Sequence, residues 1–347
     1  MFIGIRDIVF ARGRFMLITA VIAMMSFLVV ALSALTDGLQ GESISAVTRL
    51  PGDSVVMQQP AEGQSPSLAE SSLDDRTVGR IRGGTEGRTA LLGVSTARLG
   101  YDGATSALSL FGADPALMPH VEEGTLPGPG GLLLSPGQAG ELGVHVGDSV
   151  TVGPETLRVS GIGDAGSFAH TPVGYTTVDT WRSVSHDQGL SAVVLSGAAS
   201  AMPDGTETLA MSDITDAVPG YGSEHGSLLA MQLMLLAISA LVVGAFFTVW
   251  TQQRRHDLAV VRAMGADRGY LLRDGLGQAV TVLAAGQLVG VVAGVLLAEA
   301  ASGTVPIVLS ASGIAVPVLG MSVLGLAGAY FAVRSVTKVD PLVALSR

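Results

Sequence analysis

Residues Leu228–Trp250 read LLAMQLMLLAISALVVGAFFTVW, and this stretch of 23 residues contains no charged side chain. The hydrocarbon core of a bilayer is about 30 Å thick, and an α-helix needs roughly 20 apolar residues to cross it. Because no water reaches the backbone there, an isolated segment must satisfy its own N–H and C=O groups by forming a helix. The stretch therefore predicts a transmembrane helix.

Three more runs have the same character, at Phe15–Leu35, about Leu276–Ala298 and about Ile314–Val333. The first run could also be a signal peptide, because Ala31-Leu32-Ser33 resembles a cleavage site. It is longer than the ~7–15 apolar residues of a signal core, so we interpret it as a retained anchor. The four runs explain why only 14% of the residues are charged, against roughly 25% in a soluble domain.

Arginine and lysine near the ends of these runs gather on one side, which predicts that this side is cytoplasmic. The basic residues on that side are Arg6, Arg12, Arg14, Arg254, Arg255, Arg262, Arg268, Arg273, Arg334, Lys338 and Arg347. Both termini are then predicted to lie in the cytoplasm of a bacterial cell, with the chain crossing the plasma membrane several times.

The resulting fold class is an integral membrane α-helical protein whose four transmembrane helices carry an α+β extracytoplasmic domain between helices 1 and 2. Short β-rich stretches between Gly, Pro and Asp predict the strands of that domain. Its polar segment 58–72 predicts a mobile loop. The predicted organisation begins with an N-terminal elbow and first span at 1–36, followed by the extracytoplasmic domain at 37–227. The second span at 228–251 leads into a cytoplasmic coupling loop at 252–273. The last two spans, with a short outer loop and a cytoplasmic tail, occupy 274–347.

The sequence offers little catalytic chemistry. It contains no cysteine, no His-Glu-x-x-His pair and no Gly-x-Ser-x-Gly elbow. Its single lysine, Lys338, has no glycine-rich turn before it, so the chain has no Walker-type ATP site. Glu299 is the one carboxylate that borders an apolar run away from the basic side, which argues against a carrier driven by an ion gradient. We predict a non-catalytic membrane subunit without an intrinsic cofactor or a nucleic-acid partner, driven by ATP hydrolysis on another subunit.

The coupling loop has the features of a docking helix. Leu258, Val261 and Met264 recur at a spacing of three and predict one apolar helix edge. Gly265 is suited to stop that helix, and Asp267 to cap the next one. The alternative is a basic loop lying on the lipid surface. The predicted coupling residues are Arg255, Asp257, Leu258, Val261, Arg262, Met264, Gly265 and Ala266.

Glycines recur at every fourth position of the third span, at Gly286, Gly290 and Gly294. Such a stripe lets another helix approach closely. The sequence leaves open whether that helix belongs to the same subunit or to a second one.

The loop motif Arg254-Arg255, Asp257 and Arg262-Ala263-Met264-Gly265-Ala266 resembles the second cytoplasmic segment of permeases of the MacB/FtsX type, the type VII ABC transporters. The C-terminal Val339–Leu345 and the outer pattern at 132–152 resemble the same family. Asp257 departs from it, because the family commonly has glutamate there.

This resemblance implies a permease homodimer in the lipid bilayer, joined to two copies of a separate ABC ATPase that binds ATP. Within the family the chain most resembles the heme exporter permeases of the HrtB type, which implies efflux of a hydrophobic substrate, heme, by mechanotransmission from the ATPase. Alternatives within the family are an FtsX-like signalling permease that controls an extracellular cell-wall hydrolase, and an exporter of macrolides or antimicrobial peptides.

If heme is carried, its iron prefers an axial His, Met or Tyr ligand, and we expect no other metal ligand. The predicted substrate-binding residues lie around the outer ends of spans one and two: Phe27, Ser33, Tyr221, Glu224, His225, Met231, Gln232 and Met234. The alternative is that the methionines fill gaps in the core and that Tyr221 and His225 belong to an interfacial belt.

Overall fold

The structure, a computed structural model, describes residues 12–186, 189–199, 202–253, 260–261, 264–301 and 305–337. The chain divides into two compact units. The membrane unit comprises the chain up to Gly38 together with Ser227–Arg347, and the outer unit is Leu39–Gly226.

The helices follow one another as α1 (Arg12–Thr48), α2 (Asp75–Gly83), α3 (Pro136–Leu142), α4 (Val178–Val184), α5 (Tyr221–Gln253), α6 (Arg268–Ala301) and α7 (Ala311–Thr337), with 3₁₀ turns at Pro115–Leu117 and Met211–Ala217. Among the described residues, four of them (α1, α5, α6 and α7) are long and apolar enough to cross a membrane. The prediction of four transmembrane helices is therefore confirmed. Each helix extends beyond its apolar run, and α1, with 37 residues, is about 55 Å long.

The outer unit is built on one sheet, so its α+β class is confirmed. Its strands are β1 (Ser54–Gln58), β2 (Thr85–Tyr101), β3 (Ala104–Ala113), β4 (Val121–Gly124), β5 (Gly131–Leu134), β6 (Ser149–Val152), β7 (Glu155–Gly163), β8 (Ser167–Phe168), β9 (Thr171–Thr176), β10 (Ala192–Ala199) and β11 (Thr206–Ala210). The strand order is β11-β1-β10-β2-β3-β9-β5-β7-β4, with β6 paired to β2 and β7 and with β8 paired to β9. The pairs β3–β9 and β5–β7 are parallel and the others are antiparallel.

The sheet has an apolar layer on each face. Leu110 and Phe111 are consecutive in β3 and belong to different buried clusters, as side chains that alternate along a strand must. Trp181 on α4 is fully buried in the cluster of Leu110, and its Nε1 donates to Ser95 Oγ at 2.9 Å. Its ring lies directly over Gly93, where an added Cβ would come within 2.6 Å. The glycine is therefore what lets α4 sit on the sheet.

The polar segment 58–72 is more firmly anchored than the mobile loop that its composition predicted. Leu68 within it is fully buried in the cluster of Phe111. Its N–H donates to the carbonyl of Ala217 at 2.9 Å. A buried leucine in a polar loop anchors the second half of the segment, so a mobile loop is the wrong description there.

The glycine stripe of α6 packs against α1 of the same chain. A Cβ at Gly286 would come within 2.6 Å of Ile22 Cγ2, and one at Gly294 within 2.9 Å of Val30 Cγ1. At Gly290 it would overlap the backbone carbonyl of Ala23. Of the two interpretations that the sequence left open, the structure supports packing within one subunit.

Candidate functional site

The candidate coupling segment joins α5 to α6. Four of its predicted residues, Arg255, Asp257, Leu258 and Arg262, lie outside the described residues. The other four, Val261, Met264, Gly265 and Ala266, are described and form the end of a helical turn.

The turn ends in a Schellman motif. The N–H of Ala266 donates to the carbonyl of Val261 at 3.3 Å, and the N–H of Met264 donates to that of Val260 at 3.1 Å. Gly265 has a φ of 100°, a left-handed backbone that glycine adopts without steric cost. Gly265 therefore stops the helix, as the sequence predicted.

The next helix starts immediately. Asp267 caps α6, because its Oδ2 accepts from the N–H of Gly269 at 3.1 Å. The carbonyl of Asp267 also accepts from the N–H of Leu271 at 3.3 Å. Ala266 is thus the single residue between the stop at Gly265 and the cap at Asp267, so the turn leads directly into α6.

The exposed apolar tip consists of Val260 and Met264, whose exposed fractions are 40% and 75%. These residues are four apart and lie on the same face of the turn. Val261, which the spacing of three predicted for this edge, is half-buried. Spacing three and spacing four both fit a helix edge, and the i, i+4 relation between Val260 and Met264 is the signal that would have found Val260.

The membrane helices are linked at the end where α5 stops and α6 begins, which we call the basic end because it bears Arg273 and Arg334. Trp250 Nε1 on α5 donates to Gln278 Oε1 on α6 at 3.4 Å. The ring of Trp250 also meets that of Phe15 on α1 edge-to-face, with 4.7 Å between centroids. These contacts join α6, α5 and α1 at this end of the membrane unit.

The predicted substrate residues of the membrane unit differ in their burial. Met231 and Met234 are 55% and 63% exposed, so the interpretation that they fill gaps in the core of the chain is wrong. Gln232 Nε2 donates to Thr36 Oγ1 at 3.3 Å, which places α5 and α1 at the same level there. Ser33 is buried, and its Oγ has no hydrogen-bond partner in the part of the chain that the structure describes. Phe27 is half-buried.

The predicted substrate residues of the outer unit form a cluster with two residues that the sequence did not single out. The rings of Tyr221 and His225 stack, with 5.6 Å between centroids. His170 Nε2 lies 2.9 Å from Glu224 Oε2, and His170 Nδ1 lies 4.0 Å from Glu42 Oε2. His170 thus bridges α1 and the first turn of α5. No local pattern predicts this bridge, because its three residues are far apart in the sequence.

The outer end of the membrane unit is held by the loop before α7. The N–H of Val308 donates to the carbonyl of Ala34 on α1 at 3.1 Å. The loop lies so close to Gly38 that a Cβ there would overlap the carbonyl of Pro306. Residues 305–308 are therefore fixed on α1.

Comparison with known proteins relates the chain to membrane permeases. Residues 229–341 match the FtsX-like permease C-terminal family. An ABC transporter permease of Mycobacterium bovis is 27% identical over 99% of this chain and 99% of its own length. A Staphylococcus haemolyticus protein named as a hemin transport system permease, HrtB, is 23% identical over 98% of this chain and 97% of its own length.

Among solved structures, the extracellular domain of the ABC-type transporter YknZ from Gram-positive bacteria covers 50% of this chain and 95% of its own length, with 15% identity and a TM-score of 0.33. The FtsX-like segment contains α6, α7 and most of α5. The permease relatives align along their whole length, and the outer unit is inserted after the first membrane helix. The chain is therefore similar to ABC transporter permeases along nearly its whole length, and its segment 229–341 is FtsX-like.

Proposed function

We propose that this permease is the membrane half of an exporter. It works as a homodimer with two copies of a separate ATPase, and its substrate is a hydrophobic molecule, heme. Support for the substrate comes from the alignment with the protein named as a hemin transport permease, which spans almost the whole of both chains. The observation on which the heme proposal rests is the exposure of the thioethers of Met231 and Met234 on one face of α5.

In this proposal the ATPase grips the tip formed by Val260 and Met264. When the ATPases close on ATP, the tip moves with them, and the stop at Gly265 and the cap at Asp267 pass the movement to α6. The contact of Trp250 with Gln278 and Phe15 carries it on to α5 and α1. The substrate enters sideways from the membrane and leaves on the outer side.

The candidate heme ligands of the two units are alternatives, and each unit supplies different contacts. Met231 and Met234 offer soft thioether ligands for iron, and Tyr221 and His225 offer a phenol and an imidazole. Phe27 adds aromatic surface, and the Gln232 amide can hydrogen-bond a propionate. Ser33 is buried and the Glu224 carboxylate lies against His170, so these two would line the site without binding the propionates. One axial ligand from this set is enough for the proposal.

We expect purified wild-type protein to bind heme with a Soret band that changes in one of the variants Tyr221→Phe, His225→Ala and Met231→Ala. Heme affinity in that variant should fall by more than about tenfold, because even the loss of groups behind a metal ligand costs ten- to a hundredfold. Met16→Ala is the matched control, since Met16 is an exposed methionine at the opposite end of a membrane helix.

If heme binds and none of the three variants changes the spectrum, the axial ligand lies elsewhere. If the wild type binds no heme, the heme proposal fails and a peptide substrate or a regulatory role is favoured.

A second candidate function is signalling to an extracellular cell-wall hydrolase. The observation that favours it is a cleft of about 490 Å³ in the outer unit, bordered by charged residues of α2 and α4 and suited to a polar protein contact. The charged lining residues are Asp75, Arg82, Asp114, Asp179 and Arg182. A deletion strain distinguishes the two functions, because loss of a heme exporter causes heme sensitivity, whereas loss of a hydrolase regulator causes chaining or lysis.

The orientation proposed here places both termini and the coupling turn in the cytoplasm. A chain without cysteine permits a direct labelling test. We expect a membrane-impermeant thiol reagent to label Thr125→Cys in intact cells, and to label Val260→Cys only after permeabilisation, since both positions are exposed. Labelling of Val260→Cys but not Thr125→Cys in intact cells would reverse the orientation.

A further inference from the structure

His170 lies between two helices of the outer unit, with a carboxylate near each of its ring nitrogens. Its Nε2 lies 2.9 Å from Glu224 Oε2 in the first turn of α5. Its Nδ1 lies 4.0 Å from Glu42 Oε2 near the end of α1. The first distance is that of a hydrogen bond, and the second is too long for one. Because α1 and α5 are the helices that continue into the membrane unit, the imidazole joins their outer ends.

The backbone on which His170 sits is fixed to α1. The N–H of Ala169 donates to the carbonyl of Ser43 at 2.9 Å. The N–H of His170 donates to the carbonyl of Glu42 at 3.1 Å. Ala169 and His170 have φ values of 47° and 61°, a left-handed backbone that is uncommon outside glycine and persists only where surrounding contacts hold it. The loop therefore stays with α1, and the imidazole extends from it to α5.

The protonation state of the imidazole decides how many of the two carboxylates it can serve. A neutral ring carries one N–H and a protonated ring carries two. With Nε2 donating to Glu224, a neutral His170 turns the lone pair of Nδ1 toward Glu42, whose carboxylate it repels. Protonation replaces that repulsion by a charge-assisted donor. The joined form thus takes up one more proton than a form in which Glu224 has left His170, so low pH favours the joined form.

The other titratable side chains of these elements have partners of their own. Arg49, directly after α1, pairs with Asp164 at the start of the loop. On α5 the ring of His225 stacks on that of Tyr221, and its Nδ1 lies 2.8 Å from Nε2 of Gln40 on α1. Among the described residues of these elements, the imidazole of the loop is therefore the titratable group that faces a carboxylate on both sides.

We propose that His170 is a pH-sensitive bridge, which holds the outer ends of α1 and α5 together when its imidazole is protonated. The side chains of His170, Glu42 and Glu224 are 41%, 47% and 30% exposed, so solvent screens the contact. The fraction of molecules with an open bridge should rise roughly two- to fivefold between about pH 5 and pH 8, as for an exposed ion pair that loses its cation. In the orientation proposed above, the bridge responds to the pH outside the cell, whatever substrate the permease carries.

The test is the distance between spin labels on the two helices of the purified full-length protein, measured by pulsed EPR. The labels are attached to Thr48→Cys on α1 and Gly222→Cys on α5, because both positions are exposed and a Cβ at Gly222 meets open space. The chain has no cysteine of its own. We expect one narrow distance at about pH 5 and a broader component that grows roughly two- to fivefold toward pH 8. Added salt should reduce the difference, since it screens exposed charges.

Two variants separate the charge of the bridge from its backbone. His170→Asn removes the titrating group, and asparagine suits the left-handed backbone, so this variant should keep the broad component at every pH. His170→Arg carries a permanent charge with several donors, and it should keep the narrow distance at every pH. His120→Asn is the matched control, because His120 is an exposed histidine of the same unit, and it should respond to pH as the wild type does.

A wild-type distance that does not change with pH would overturn the proposal, and so would a pH response that persists in His170→Asn. A response that is lost in His225→Asn and retained in His170→Asn would assign the titration to the other histidine and overturn it as well. If His170→Asn does not fold, Glu42→Gln and Glu224→Gln decide. Each replaces one carboxylate by a neutral amide and should remove the pH response, and an unchanged response in both would refute the bridge.

Discussion

Replacing Met264 with glutamate is expected to abolish transport and the stimulation of the partner ATPase, while the protein still inserts into the membrane. Met264 is the most exposed apolar residue among the described residues of the coupling turn, and in the proposed complex it fills a groove of the ATPase. An unpaired carboxylate buried in such a groove costs about 2–7 kcal/mol or more, which is enough to remove the contact. The measurement is ATP hydrolysis and substrate efflux by the reconstituted complex in vesicles.

Met264→Leu is the matched control, because it keeps an apolar side chain of similar volume and should cost less than about 1.5 kcal/mol. Val260→Glu tests the other half of the tip and should act in the same direction as Met264→Glu. Normal efflux by both glutamate variants would show that the ATPase docks elsewhere.

Gly290→Leu is expected to prevent stable folding of the membrane unit. A Cβ at this position already overlaps the carbonyl of Ala23 on α1, and a backbone atom cannot move aside as the end of a side chain can. Overpacking costs about 1–3 kcal/mol and occasionally more, and with the rigid backbone of α1 as the obstacle we expect the upper end of this range or beyond. The readouts are the yield of monodisperse protein in detergent and its thermal stability.

Ala285→Leu controls for the added bulk, since Ala285 lies on an exposed face of the same helix and should accept leucine in lipid. Gly294→Ala should be milder than Gly290→Leu, because the obstacle there is the side chain of Val30. A stable Gly290→Leu protein with native efflux would contradict the close packing of α6 on α1.

Several strands were predicted from local pattern, and the longest hairpin was missed. The apolar runs around Val55, Leu133 and Val193 are short and bounded by turn residues, so their strands follow from local pattern. The hairpin of β2 and β3 contains arginines, glycines and serines, which weaken its apolar alternation. Its turn at Asp102 and Gly103, both with positive φ, is the Asp-Gly signal of a type I′ hairpin, and that signal was in the sequence.

The candidate substrate site was predictable only as a list of residue types. The preference of iron for Met, Tyr and His singles out Met231, Tyr221 and His225, but not the direction in which each points. Exposure of Met231 depends on how α5 is rotated, whereas the stacking of Tyr221 on His225 is a local i, i+4 contact. That rotation is set by contacts with other helices, which hydropathy alone does not encode because all faces of α5 are apolar.

The amino-acid sequence by itself determined where the chain crosses the membrane, where the coupling helix stops and where α6 starts. Each of these features depends on residues close together in the chain. An uncharged run sets each membrane span, Gly265 stops the coupling helix, and the carboxylate of Asp267 starts α6. Only the tertiary structure decided that the glycine stripe faces α1, that Val260 shares the apolar tip with Met264, and that His170 joins Glu42 to Glu224. Those outcomes depend on helix rotation and on contacts between segments far apart in the chain, and a local pattern carries no information about either.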